Sequence, residues 1–120
     1  MKEVLIYHNN RCSKSRQALQ VLQEKEITLS VINYMQDVIT VKELTEVLTK
    51  LNIKPDALLR KSEGDYKEHV KGRGLSDQEL VKLMVEYPKL IERPIVIAGE
   101  QAVIARPVEL IETLFKTTDQ

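Results

Sequence analysis

Residues 3–22, "EVLIYHNNRCSKSRQALQVL", carry the pattern on which the fold interpretation rests. The first five residues form a short apolar run that is typical of a buried strand. The polar turn His8–Cys12 follows, and from Ser13 to Glu26 apolar side chains recur at helical spacing. A second β-rich run, Thr28–Tyr34, completes a strand–helix–strand unit, for which a right-handed crossover is expected.

The middle of the chain is predicted to be helical. Two capping-box patterns predict the starts of helices: Thr40 with Glu43, and Ser76 with Glu79. Pro55 suits the first turn of a short helix, and Pro88 ends the helix that begins near residue 76. The polar stretch 61–74 predicts a loop with one irregular turn near Tyr66.

Beyond residue 93 the hydrophobic period changes. "PIVIAGEQAVIA", residues 94–105, predicts two short strands around a turn at Ala98–Gln101, and Pro107 opens a last helix. The order of elements predicts an α/β protein with a thioredoxin-like, four-stranded mixed sheet. A helical insertion of about residues 40–90 would separate its βαβ and ββα halves, and we expect a single domain over residues 1–120.

The charge balance, the apolar runs and the cysteine count argue against several classes of protein. The chain has 18 Lys and Arg against 18 Asp and Glu, so its formal net charge is zero, which argues against general nucleic-acid binding. No apolar run approaches the length of a membrane span, and the N-terminus lacks the features of a signal peptide. A single cysteine cannot form an internal disulfide, so we expect the reducing cytoplasm as the compartment.

Cys12, the sole cysteine, is the candidate reactive group. It lies between the carboxyl end of a predicted strand and the start of a helix, where backbone N–H groups and the helix dipole favour a thiolate. A free cysteine is often only a small buried hydrophobe, but its neighbours here are polar. Several nearby side chains offer positive charge or hydrogen bonds to the sulfur: Arg11, Lys14, Arg16, Ser13 and Ser15. His8 could donate to the sulfur directly or share a network with it.

Three other kinds of cysteine site fit poorly. One Cys and two distant His do not supply the ligand pairs of a zinc site, so we expect no bound metal. Ala18 stands where a Cys-x5-Arg phosphatase loop needs arginine. Ser15 stands where a thioredoxin-type Cys-x-x-Cys needs its second cysteine, so an oxidised Cys12 cannot be resolved within the chain.

Four stretches together resemble the glutaredoxin-coupled arsenate reductases of the ArsC/Spx-like family: "YHNNRCSKSRQAL", "ALLRK", "ERPIVI" and "ARPVE". The resemblance implies that Cys12 is the catalytic nucleophile and that Arg60, Arg93 and Arg106 hold the arsenate oxyanion. Arginine suits this task because its fork of donors matches tetrahedral oxyanions and stays charged. The resemblance further implies a cis peptide bond before Pro94.

The resemblance implies reduction of arsenate to arsenite through a cysteine thiolate adduct. Glutathione and a glutaredoxin would be the external reductants, and no bound cofactor is expected. Two alternatives stay open. One is an Spx-like regulatory or binding protein without arsenate turnover, although Ser15 breaks the Cys-x-x-Cys switch common in such regulators. The other is a monothiol oxidoreductase, although only Gly99 stands where glutaredoxins usually carry a Gly-Gly pair.

Overall fold

The computed structural model describes residues 2–115. These residues form two compact units. The sheet unit comprises residues 2–37 and 93–115, and the helical unit comprises Val38–Glu92. None of the helices within residues 2–115 combines the length and hydropathy that crossing a membrane requires.

The sheet unit has four strands in the order β2-β1-β3-β4. Its elements along the chain are β1 (Lys2–His8), helix α1 (Ser13–Gln23), β2 (Ile27–Asn33), β3 (Ile95–Ala98) and β4 (Gln101–Ile104). β1 pairs in parallel with β2 and antiparallel with β3, and β3 pairs antiparallel with β4. The predicted thioredoxin-like α/β fold with a mixed sheet is therefore confirmed, as is the hairpin between β3 and β4.

One face of this sheet carries the core of the unit. Val4 and Ile6 of β1 lie opposite Ala98 and Val96 of β3, and all four side chains are buried. The core also includes Ala18 and Leu22 of α1 and Ala105, which follows β4. Ile111 and Leu114 of the last helix, Val108–Leu114, complete it. The position of Cys12 thus depends on α1, which is fixed to the sheet by its buried face.

Two predicted helices of the sheet unit differ in detail. α1 ends at Gln23 rather than at Glu26, and no glycine or proline marks that end. The last element, Val108–Leu114, is a 3-10 helix preceded by Pro107. Its apolar side chains recur every three residues, which is the period of a 3-10 helix, so that Ile111 and Leu114 share one buried side.

The helical unit contains α2 (Val41–Leu51), α3 (Pro55–Leu58), α4 (Gly64–His69), α5 (Asp77–Glu86) and a 3-10 turn, Pro88–Leu90. Both predicted capping boxes are present, with reciprocal side-chain and backbone hydrogen bonds. Within residues 61–74, where a loop with one irregular turn near Tyr66 was predicted, that turn is a regular α-helix, α4. That helix buries none of its residues and lacks a side-chain cap, so the usual sequence signals of a helix are missing.

Candidate active site

The turn between β1 and α1 places Cys12 immediately before the first residue of the helix, Ser13. Cys12 is the N-cap residue of α1, with extended backbone angles, and its side chain is partly exposed. Its N–H donates to the carbonyl of Asn9 at 3.0 Å, and its carbonyl accepts from the N–H of Arg16 at 3.0 Å. These two bonds close the turn and leave the thiol beside the N–H groups of the first helical turn.

The surroundings of the sulfur favour the thiolate. Burial of the thiol raises its pKa, but three hydrogen bonds more than offset that cost. They come from the backbone N–H of Ser15, the side chain of Arg93 and the backbone N–H of Lys14, and the charge of Arg93 adds to them. The net pKa of Cys12 lies below the ordinary value of a cysteine, as nucleophilic chemistry requires.

Sheet register explains how Arg93 reaches Cys12 from eighty residues further along the chain. Ile95 lies opposite Tyr7 in the antiparallel pair of β3 and β1. Arg93 therefore lies level with the residues that follow β1, which lead into the turn at Cys12. The peptide bond between Arg93 and the buried Pro94 is cis, as the family resemblance implies.

The guanidinium of Arg93 has unused donors. Arg93 interacts with Cys12 and with the hydroxyl of Tyr34, and these contacts raise its pKa although burial opposes them. Its Nε and Nη1 atoms are buried and meet no acceptor anywhere in residues 2–115. Buried N–H groups are costly unless they are satisfied, so this arginine is suited to bind an anion beside the sulfur.

His8 belongs to a buried network rather than to a direct contact with the sulfur. Its Nδ1 shares a 2.6 Å hydrogen bond with the hydroxyl of Ser15, and its Nε2 lies 3.4 Å from Oδ1 of Asn10. The same hydroxyl accepts the N–H of Asn9 at 3.0 Å. The tautomer with its hydrogen on Nε2 accounts for all three bonds, with the Ser15 hydroxyl donating to Nδ1 and Nε2–H donating to Asn10. The network ties the end of β1 to the first turn of α1.

The hydroxyl of Ser15 does not make the hydrogen bond to the sulfur that was predicted for it. Sequence analysis offered its hydroxyl as a donor to the thiolate, but the hydroxyl bonds to His8 and Asn9, and the backbone N–H of Ser15 bonds to the sulfur. The side chain of Arg16 likewise donates to the carbonyl of Asn10 at 2.9 Å. Hydrogen bonds to the sulfur thus come from backbone N–H groups and Arg93.

The other two predicted arginines occupy different units. Arg106 is exposed in the sheet unit, and its Nη1 donates to the carbonyl of Arg93 at 3.3 Å. Arg60 lies in the helical unit, where its Nε is 3.6 Å from Glu92 and its backbone N–H donates to Leu90. Nη1 of Arg60 is buried without a hydrogen-bond partner in the described part of the chain. The sheet unit therefore brings together Cys12, His8, Arg93 and Arg106, and a role for Arg60 stays a prediction.

Tyr34 is a site residue that sequence analysis did not identify. It directly follows β2, it is buried, and its hydroxyl interacts with Arg93. β2 runs parallel to β1, so both strands end at the same sheet edge. The tendency of ligand sites to lie beyond the carboxyl ends of parallel strands was the available signal. Among residues 2–115, no group of three or more His, Cys, Asp or Glu side chains is placed to hold a metal ion.

Sequence and structure comparisons agree on the family. The family model described as "ArsC family" matches residues 7–114. The chain is 41% identical over 110 residues to an arsenate reductase of Haemophilus influenzae, covering 90% of this chain and 95% of that protein. It is 40% identical over 114 residues to the uncharacterized protein YfgD of Escherichia coli, covering 92% and 94%. A solved structure described as arsenate reductase from Vibrio cholerae has a TM-score of 0.89 and 40% identity, covering 94% of this chain and 98% of that one. The chain belongs to the ArsC family.

Proposed function

We propose that this protein is an arsenate reductase that takes its electrons from glutathione and a glutaredoxin. The observation that carries the proposal is the pairing of Cys12 with Arg93. The arginine stabilises the thiolate and still has two buried donors, Nε and Nη1, to which the described residues offer no acceptor. The names of relatives such as the Haemophilus influenzae enzyme direct the choice among tetrahedral oxyanions to arsenate.

Binding of the anion comes first. Arsenate presents several oxygens in a tetrahedron, and the guanidinium fork can donate to two of them at once. Arg106, bonded to the backbone of Arg93, is placed to add a second positive charge at the same sheet edge. A role of Arg60 in holding the same anion is implied by the family resemblance and stays a prediction.

The covalent step follows. The sulfur of Cys12 attacks arsenic and forms an S–As bond, while one As–O bond breaks and its oxygen leaves as water after taking up protons. Arsenic remains As(V) in this adduct. Arginine donors held around the oxygens stabilise the charge that shifts during attack without having to reorganise.

Reduction then needs two electrons, which two thiols supply when they become one disulfide. The chain has one cysteine, so at least one of these thiols comes from outside. Glutathione attacks the adduct, and a glutaredoxin reduces the mixed species and frees Cys12. In net terms, arsenate and two thiols give arsenite, one disulfide and one water. Because glutathione keeps the cytoplasm reducing, we propose the cytoplasm as the compartment.

His8 acts in this scheme as a positioning residue. Its ring nitrogens bond to Ser15 and Asn10, so it holds the first turn of α1 against the end of β1. That contact keeps the backbone N–H of Ser15 directed at the sulfur. We therefore expect substitution of His8 to weaken thiolate formation without abolishing anion binding.

The test is arsenite production from arsenate by the purified protein, supplied with glutathione and glutaredoxin. Cys12→Ser is expected to remove turnover completely, and Arg93→Gln to reduce kcat/KM strongly. Arg73→Gln is the matched control, since Arg73 is exposed in a loop and donates to the carbonyl of Glu68. Absence of turnover with several glutaredoxins, while Cys12 remains reactive toward alkylating reagents, would overturn the reductase proposal and favour a binding protein.

A further inference from the structure

A buried amide lies beside the turn that carries Cys12. Tyrosines aside, the buried polar side chains of residues 2–115 are His8, Asn9 and Ser15, and all three lie close to Cys12 in the chain. His8 and Ser15 bond to each other, whereas the side chain of Asn9 has no part in the proposed chemistry. Asn9 is 8% exposed, so its amide oxygen needs a hydrogen-bond donor within the protein.

That donor belongs to the middle peptide of the turn before α1. The turn is closed by a 3.0 Å hydrogen bond from the N–H of Cys12 to the carbonyl of Asn9. Its middle peptide consists of the carbonyl of Asn10 and the N–H of Arg11, and side chains bond to both ends of this unit. Oδ1 of Asn9 accepts the N–H of Arg11 at 2.9 Å. Nη1 of Arg16 donates to the carbonyl of Asn10 at 2.9 Å.

The turn has little rigidity of its own. The segment Asn9–Cys12 contains no proline to fix a backbone angle, so each residue of the turn is ordered at an entropic cost. Bonds to both ends of the middle peptide restrict ψ of Asn10 and φ of Arg11, the two angles that flank it. Cys12 follows directly as the N-cap of α1, so its position depends on these angles. The free N–H groups of a helix N-terminus favour a thiolate only when the sulfur is held beside them.

We propose that Asn9 and Arg16 are positioning residues whose side chains hold the middle peptide of the turn and so keep the Cys12 sulfur at the N-terminus of α1. Both act through the backbone and not on the sulfur itself. The bond of Asn9 is partly buried and that of Arg16 is exposed, so we assign the larger effect to Asn9. The inference concerns the reactivity of Cys12 with any substrate, so it does not rest on the proposed function.

The competing explanation is that Asn9 only stabilises the fold. Such a role would lower the free energy of unfolding and leave the chemistry of Cys12 in the folded protein unchanged. Asn9→Ala separates the two explanations without changing the charge near the sulfur, because it removes a neutral amide and keeps the backbone bonds. Gln17→Ala is the matched control, since it removes the same group from an exposed position on α1.

The experiment measures the pH dependence of Cys12 alkylation by iodoacetamide, a neutral reagent whose rate reports the thiolate. We expect Asn9→Ala to shift the profile to higher pH and to lower the rate at neutral pH about two- to tenfold, the range of one lost hydrogen bond. Gln17→Ala should match the wild type. Asn9→Ser should lie in between, because a serine hydroxyl accepts the same N–H more weakly, and it carries the test if Asn9→Ala fails to fold.

Arg16→Met tests the other end of the peptide, at high salt so that the lost charge is screened. It should lower the rate less than Asn9→Ala does. The double variant should lose less than the product of the two single factors, because both side chains hold one peptide. A wild-type profile for folded Asn9→Ala, or single factors that multiply in the double variant, would overturn the inference. Alkylation needs neither arsenate nor a reductant, so a failure of arsenate turnover leaves this test intact.

Discussion

Replacing Arg93 with glutamine should damage two separable properties of the site. Glutamine keeps a hydrogen-bonding group of moderate length but removes the charge and the guanidinium fork. The side chain of Arg93 both donates to the Cys12 sulfur and acts on it through its charge. The first expected result is therefore a rise in the pKa of Cys12, and the second is weaker binding of arsenate.

The size of the first effect follows from the contact. A hydrogen bond to a charged group contributes about 1.5–3 kcal/mol. Cys12 is partly exposed, and solvent screening reduces that contribution. We expect the lower end of the range, which corresponds to a rise in the pKa of Cys12 and a loss of up to about tenfold in thiolate at neutral pH. The backbone N–H groups of Lys14 and Ser15 remain in place, so the pKa should not return fully to that of an isolated cysteine.

The second effect concerns the transition state. Removal of one preorganised donor to a developing oxyanion costs about 10²–10³ in kcat. Together with the smaller thiolate fraction, the loss in kcat/KM for Arg93→Gln should reach about 10³-fold or more at neutral pH. Above the raised pKa of Cys12 the thiolate part of the loss disappears, and the part due to the missing donors remains.

The assay combines ultraviolet titration of the thiolate with initial rates of arsenite formation across pH. Arg93→Lys keeps the charge without the fork, so it should retain most of the pKa effect and lose most of the rate. Arg73→Gln should leave both properties unchanged. An unaltered thiolate pKa in a folded Arg93→Gln protein would refute the assignment of Arg93 as the cation that stabilises the sulfur.

Three further outcomes are expected. Ser15→Ala removes the hydroxyl that bonds to the buried ring of His8. It should lower the free energy of unfolding, measured by urea titration, by about 1–3 kcal/mol. The control Ser13→Ala, at an exposed position, should change the free energy of unfolding by under about 0.5 kcal/mol. The pKa of Cys12 is lowered in the folded state, so between the folded and unfolded pKa values the unfolded chain binds more protons. The free energy of unfolding of the wild type relative to Cys12→Ser should therefore rise with pH between these two values and level off above about 8.5. A difference that does not change with pH would contradict a lowered pKa. Leu22→Ala, at a fully buried position of α1, should cost about 2–5 kcal/mol, and a loss under about 1 kcal/mol would mean that α1 is not fixed by this face.

Sequence reasoning succeeded where the signal is local. The capping box at Thr40 joins groups three residues apart, so the helix start could be identified from the letters alone. It predicted only an irregular turn where α4 forms a regular helix, because α4 buries none of its residues. It predicted the last helix but not that this helix is a 3-10 helix. Arg93 was found through the family motif rather than through physics, because its approach to Cys12 depends on strand register. Tyr34 was missed for the same reason. It follows β2, whereas Arg93 precedes β3, and only the pairing of both strands with β1 brings these chain segments to one sheet edge.

The shared use of Arg93 addresses a problem that any thiolate reductase of oxyanions must solve. Nucleophile and substrate are both negatively charged, and at about 4 Å their repulsion is of order 4 kcal/mol in a partly solvated site. A guanidinium that contacts the thiolate and keeps two further buried donors without an acceptor in the described residues can attract both anions at once. In the proposed scheme Arg106, whose Nη1 donates to the carbonyl of Arg93, would add a second positive charge for the anion without contacting the sulfur. The low pKa of Cys12 and the affinity for an anion are then consequences of one cation, which is why a change at Arg93 should alter both together.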